Sequence, residues 1–189
     1  MTPQEKADSV KEKHGARFQQ LMAEAMRLLG LHRNLDWRAK RVLEITDELA
    51  AMAMPVAPCK KGCSHCCYQA IIISSWEAAQ IAKVTGKKIA SFDGYDPEKT
   101  SRDELVEKYR DKACPFLVDS ECSIYAVRPF ICRTHISMAD DSWPCDIIKN
   151  PGAKVPYFNF HDLNMIQGYL FIHENCKFGD IREYFRETE

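Results

Sequence analysis

The stretch CKKGCSHCCYQA runs from Cys59 to Ala70 and sets four cysteines, Cys59, Cys63, Cys66 and Cys67, within nine residues. Nine cysteines occur in the whole chain, an odd number. The N-terminal run MTPQEKADSVKEKHG is polar and has no signal-peptide apolar core, which leads us to expect a cytoplasmic protein. Cytoplasmic thiols stay reduced, so a dense cluster there signals metal binding or redox chemistry rather than a disulfide framework. Isolated buried cysteines act as small hydrophobes, and that account suits one or two of the nine better than four in a row.

Composition sets the remaining bounds. The chain has 189 residues, 46% hydrophobic and 28% charged, with a formal net charge of -1. That is an ordinary globular composition. It lacks the basic field that holds a nucleic acid backbone, and no polybasic run addresses an anionic membrane. The longest apolar run is far too short to span a bilayer. We therefore expect neither nucleic acid nor membrane as a partner.

Outward from the cluster, the pattern is mostly helical. Phe18, Leu21, Met22, Ala25, Leu28 and Leu29 recur at helical spacing up to Gly30. Asn34 is the N-cap of a second helix whose apolar face is Leu35, Ala39, Val42, Ile45, Leu49 and Met52, ended by Pro55 and Pro58. After the cluster, Ile71–Ile73 form a short buried segment. Ser74 with Glu77 makes a capping box for a helix to about Val84, closed by Gly86. Residues 91–101 read as a loop, and Ser101 with Glu104 caps another helix to about Lys112. Pro115–Val118 and Ser123–Ala126 flank the turn Asp119-Ser120-Glu121 as a small hairpin, and Pro129 opens a helical turn carrying Cys132. Asn159, with Asp162, caps a last helix on which Leu163, Ile166, Leu170 and His173 share a face. The fold class expected is mostly α with a small β-hairpin. It has an N-terminal helical hairpin over 1–55 and a cysteine-cluster domain over 56–189, together one compact unit around a cysteine-rich metal-binding centre.

The C-x3-C-x2-C-C run, the SSWEAAQIA helix, and then CPFL, CSIY and RPFICR resemble the YkgJ-type CxxCxxCC cysteine-cluster family. That family is described as zinc- or iron-chelating and often labelled iron–sulfur. The likeness covers Cys59 to Arg133. One departure is the third residue between Cys59 and Cys63, where the family name records two. The resemblance implies seven ligand candidates, Cys59, Cys63, Cys66, Cys67, Cys114, Cys122 and Cys132, and Cys145 in SWPCD adds an eighth.

Thiolates are soft ligands that suit zinc and iron–sulfur centres, not calcium or magnesium. Neighbouring side chains diverge along most backbones, so Cys66 and Cys67 either serve two centres or divide their roles, one ligating while the other packs. Four thiolates around Zn²⁺ carry a net charge of -2, and Lys60, Lys61, Arg128 and Arg133 flank the cysteines as possible counter-charges, Arg128 first among them. His65, His135, and the pair His173 and Cys176 read as bystanders. With little regular apolar periodicity, residues 59–135 are expected to depend on metal to fold.

Nucleotide-binding, HExxH and nucleophile-elbow motifs do not occur in the chain. The reading is a metal-binding protein that holds an iron–sulfur cluster, 4Fe-4S favoured, in a redox or electron-transfer accessory role with a redox or protein partner. A structural zinc protein and a metal-handling or interaction protein are the alternatives. The thiol excess and the family label favour iron–sulfur over zinc.

Overall fold

The computed structural model describes residues 1–91, 93–95 and 99–186. In chain order the elements are α1 (Pro3–Leu29), α2 (Leu35–Ala53), β1 (Ile72–Ser74), α3 (Ser75–Thr85), α4 (Arg102–Tyr109), β2 (Leu117–Val118), β3 (Glu121–Cys122), α5 (Phe130–Thr134), α6 (His161–His173), β4 (Phe178–Asp180) and α7 (Ile181–Tyr184). The fold is mostly α with minor β, as expected. The loop expected over 91–101 lies outside the described residues at 92 and 96–98. Among the described residues no helix is long and apolar enough to cross a membrane. Tertiary contacts divide the chain into two units.

The first unit comprises residues 1–59, 133–142 and 154–175. Helix α1 begins at Pro3, well before the apolar stripe that marks it in the sequence. Thr2 Oγ1 accepts from Glu5 N at 3.2 Å and the Glu5 carboxylate accepts from Thr2 N at 2.7 Å, so a capping box starts a polar first half. Asn34 caps α2 by accepting from Trp37 N at 2.9 Å. Ala39, Val42, Ile45 and Leu49 are buried, as the stripe predicts. Helices α1 and α2 pack on each other, and α6 packs on both through Leu163, Ile166, Leu170 and Phe171. Helix α6 starts at His161, and Asn159 Oδ1 accepts from the His161 N–H at 2.8 Å. His173 is exposed rather than part of the buried face, and its ring stacks on Tyr169 with centroids 4.4 Å apart. The outer faces of α1 and α2 are laced by ion pairs from Arg17 to Glu48 and from Arg41 to Glu24 and Glu44.

The second unit comprises residues 60–132, 143–153 and the chain from 176 onward. Strand β1 pairs antiparallel with β4, with Ile72 opposite Asp180, Ile73 opposite Gly179 and Ser74 opposite Phe178. The alternation of the strand follows: Ile71 and Ile73 enter the core while Ile72 stays half-buried. Both halves of the Ser74–Glu77 capping box form, and Gly86 ends α3 in the left-handed conformation at φ 71°. Ile71, Ile73, Ala78, Ile81, Phe116, Ile124, Ile181, Tyr184 and Phe185 build one apolar core, with Cys114 inside it. Residues 59–135 thus have more of a core than their weak periodicity suggests. The missing apolar groups come from Ile181, Tyr184 and Phe185, at the far end of the sequence.

The hairpin is tighter than expected. Its strands pair Leu117 with Cys122 and Val118 with Glu121. Asp119 and Ser120 alone form the turn, both with positive φ (49° and 63°), the signature of a two-residue type I′ turn. Glu121 therefore belongs to β3, and Tyr125–Val127 form a 3-10 turn instead of continuing the strand.

Candidate metal centre

Short separate segments carry Cys63, Cys66, Cys67, Cys114, Cys122 and Cys132 in the second unit. In the first, Lys60 to Cys63 form a β-turn closed by Cys63 N donating to Lys60 O at 3.0 Å, with Gly62 at φ 83°. A non-glycine residue is strained there. This turn takes up the extra residue between Cys59 and Cys63. A 3-10 turn over His65–Tyr68 follows and carries Cys66 and Cys67.

Cys114 lies just before β2. Its N–H donates to the Cys67 carbonyl at 2.8 Å, and its own carbonyl accepts from Leu117 N at 3.0 Å. Cys122 ends β3 opposite Leu117. Ser123 donates through both N and Oγ to Phe116 O, at 2.9 Å each, which fixes the chain leaving the hairpin. Cys132 rides on α5, and its N–H donates to Pro129 O at 3.1 Å. Cys67, Cys122 and Cys132 pack against the core that contains Cys114.

Burial and neighbouring thiols hold several of these thiols above their ordinary value. The hydrogen bond to Cys67, then burial, push the Cys66 thiol well up from its ordinary value, and the Arg128 charge opposes them. Burial pushes Cys132 well up, and charge on Cys66, Cys114 or Cys122 would push it further. Burial lifts Cys114 to about 11 and raises Cys122, on which Arg128 again acts downward. Cys66, Cys114, Cys122 and Cys132 thus form one set in which each resists ionising, and the guanidinium of Arg128 lies within electrostatic reach. That guanidinium stacks 4.0 Å from the Tyr125 ring centroid. A soft cation that binds thiolates directly is the species that relieves such a set.

Among the described residues, no three His, Cys, Asp or Glu side chains already meet in metal-coordinating geometry. The fit to a metal therefore rests on the chemistry of the donors: grouped, inward-facing soft thiols beside a cation. Cys63, Cys66, Cys67, Cys114, Cys122 and Cys132 are all free thiols.

The other expected residues fall as follows. Cys145 is buried, at the end of a 3-10 turn over Trp143–Cys145 in the second unit. Cys59 is half-buried and belongs to the first unit. His65 Nδ1 stands 3.8 Å from Asp146, and the His135 ring meets Tyr157 at a tilt with centroids 4.7 Å apart. Lys61 pairs with Glu121 at 3.2 Å, and Arg133 pairs with Asp47 in the first unit.

A family model, CxxCxxCC, a "Putative zinc- or iron-chelating domain", matches residues 58–154. The chain belongs to the CxxCxxCC family. Its description makes this a metal-binding chain, and the match takes in the eight cysteines expected as ligands. Comparison with curated proteins and with solved structures gave no match.

Two residues of this CxxCxxCC chain escaped the sequence reading. Glu77 reads in the sequence as a helix cap, yet its second oxygen accepts from Phe130 N at 2.8 Å. Arg182, beyond the family match, donates to the Cys67 carbonyl at 2.9 Å. The run GDIREY did carry a signal for the helix that bears Arg182, since Asp180 is an N-cap that accepts from Arg182 N at 2.9 Å.

Proposed function

We propose that this chain is an iron–sulfur protein of the cytoplasm with an accessory redox or electron-transfer role. Cys66, Cys114, Cys122 and Cys132 would be its first ligands, with Cys67, Cys63 and Cys145 beside them in the same unit. The observation that carries this reading is the packing of Cys67, Cys122 and Cys132, drawn from separate segments, against the one apolar core that contains Cys114. The thiols in that unit exceed the four that either one zinc ion or one cluster uses, which leaves thiols to spare beside the centre. The core weakens the purely structural zinc reading, because the unit has apolar packing of its own.

An iron–sulfur cluster, when bound, supplies one-electron transfer at a potential set by hydrogen bonds to its sulfurs and by solvent exposure. The protein's part is to prepare the donors. The core around Cys114 keeps water from one side of the thiols. Arg128 opposes the negative charge that thiolate ligation builds up. The reading calls for a redox partner protein.

The test is anaerobic purification followed by iron, sulfide and zinc determination with a visible spectrum. The expected protein is brown, with broad violet absorbance that bleaches with dithionite. Colourless protein holding stoichiometric zinc and no iron after anaerobic reconstitution would replace the cluster with zinc.

A further inference from the structure

Arg182 is almost wholly buried, with 10% of its side chain exposed, and its charge is held by Asp180, which is fully buried. Nη1 donates to both Asp180 carboxylate oxygens, at 2.9 and 3.0 Å. Nη2 donates to the carbonyls of Cys67 (2.9 Å), Gln69 (3.2 Å) and Lys112 (2.7 Å), and Nε to those of Lys112 (3.0 Å) and Ala113 (3.3 Å). Its guanidinium also lies 5.2 Å from the Tyr109 ring centroid. Asp180 is fixed in turn, since its Oδ2 accepts from Ile71 N at 2.7 Å and it stands opposite Ile72 in the β1–β4 pair.

One guanidinium therefore spans the segment 67–69 and the segment 112–113, each next to a cysteine. The Cys67 carbonyl receives both Arg182 Nη2 and Cys114 N. Only a planar fork with donors on several edges can serve such divergent carbonyls; an ammonium is a point donor.

We propose that Arg182 is a positioning residue of the metal centre, setting the Cys66–Cys67 turn and Cys114 at a fixed separation so that their thiols address one metal or cluster. Its hydrogen bonds reach the centre through backbone carbonyls, with Asp180 as its anchor. The inference rests on the reading of these thiols as ligands. It extends the centre's frame to a segment beyond the family match, which ends at residue 154.

The test titrates Co²⁺ into the reduced full chain under anaerobic conditions, following the thiolate charge-transfer and d–d bands, with a chelator competition for affinity. Arg182→Met, Arg182→Lys and Asp180→Asn are compared with the unaltered chain, and melting temperature is measured with and without metal. Outer groups that orient metal ligands are worth about 10–100-fold in affinity. Arg182→Met is expected to weaken Co²⁺ by that factor and to change the band pattern, with Asp180→Asn intermediate and Arg182→Lys failing to restore the bands. If Arg182→Met melts earlier but binds Co²⁺ with unchanged affinity and spectrum, Arg182 is a folding residue only and the proposal is overturned. Should Arg182→Met not fold, the milder Asp180→Asn decides on the same two readouts. An unaltered chain that binds no Co²⁺ overturns the ligand reading itself, and this inference with it.

Discussion

The Glu77 carboxylate joins the start of α3 to the start of α5: one oxygen accepts from Ser74 N at 2.7 Å and Ser74 Oγ at 2.8 Å, the other from Phe130 N at 2.8 Å. Glu77 is 4% exposed, so water cannot replace these bonds. A residue whose local job is to cap one helix thereby sets the direction of the helix that carries Cys132. Glu77→Ala leaves two buried N–H groups unsatisfied. At about 1–3 kcal/mol each, the expected loss is about 2–6 kcal/mol, read as the shift in denaturant unfolding. A loss under about 1 kcal/mol would show that the two N–H groups find other partners.

Single serine substitutions should sort the cysteines. Cys66, Cys114, Cys122 and Cys132 stand in one electrostatic group, and a serine hydroxyl neither ionises near neutral pH nor matches a soft metal. Each of these four variants should hold much less metal per chain and melt earlier in its presence. Cys176→Ser, outside the family match, should be the mildest of the nine. Metal retention in Cys122→Ser and Cys132→Ser alongside its loss in Cys176→Ser would move the site elsewhere.

Metal removal should loosen the second unit without dissolving it. Ile71, Ile73, Phe116, Ile181 and Phe185 pack together in one apolar core. In amide exchange on metal-free protein, protection should fall over residues 60–69 and 112–123 and persist in α3 and the β1–β4 pair. Full loss of protection in α3 would mean that the apolar core cannot stand without metal.

The α1–α2 face should respond to acid. The hydrogen bond from Arg41 holds Glu24 below the ordinary carboxylate range, and that from Arg17 does the same for Glu48. A carboxyl group with a depressed folded-state pKa contributes stability above its unfolded value that is lost as pH falls through the folded one. Helical signal should therefore melt earlier as pH drops from about 5 to about 3. These pairs are partly exposed, so the effect should be modest and shrink in 1 M salt. Arg41→Gln should flatten the pH dependence; an unchanged slope would assign the acid effect to other groups.

The sequence announces its helices wherever a cap and an apolar stripe coincide, as at Asn34, Ser74 and Ser101. It hides the first half of α1, because Thr2 and Glu5 cap a polar stretch whose side chains mostly face water. It hides the partner of β1, because FGD is too short to read as a strand. The cysteines are legible as a group by spacing, but not the 3-10 turn that carries Cys66 and Cys67, which no residue type marks. Arg182 could not be read as part of the centre at all: it acts on carbonyl oxygens, which every residue has.

The pairing of β1 with β4 also bears on when the second unit can form. A chain emerges from the ribosome N-terminus first, so Cys63, Cys66, Cys67, Cys114, Cys122 and Cys132 are all made before Asp180 and Arg182. Until then β1 has no partner, and the carbonyls of Cys67 and Lys112 have no guanidinium to hold them. The nascent cysteine segments are thus produced as an open, thiol-rich chain, and the frame that orients them closes only after synthesis has passed residue 182.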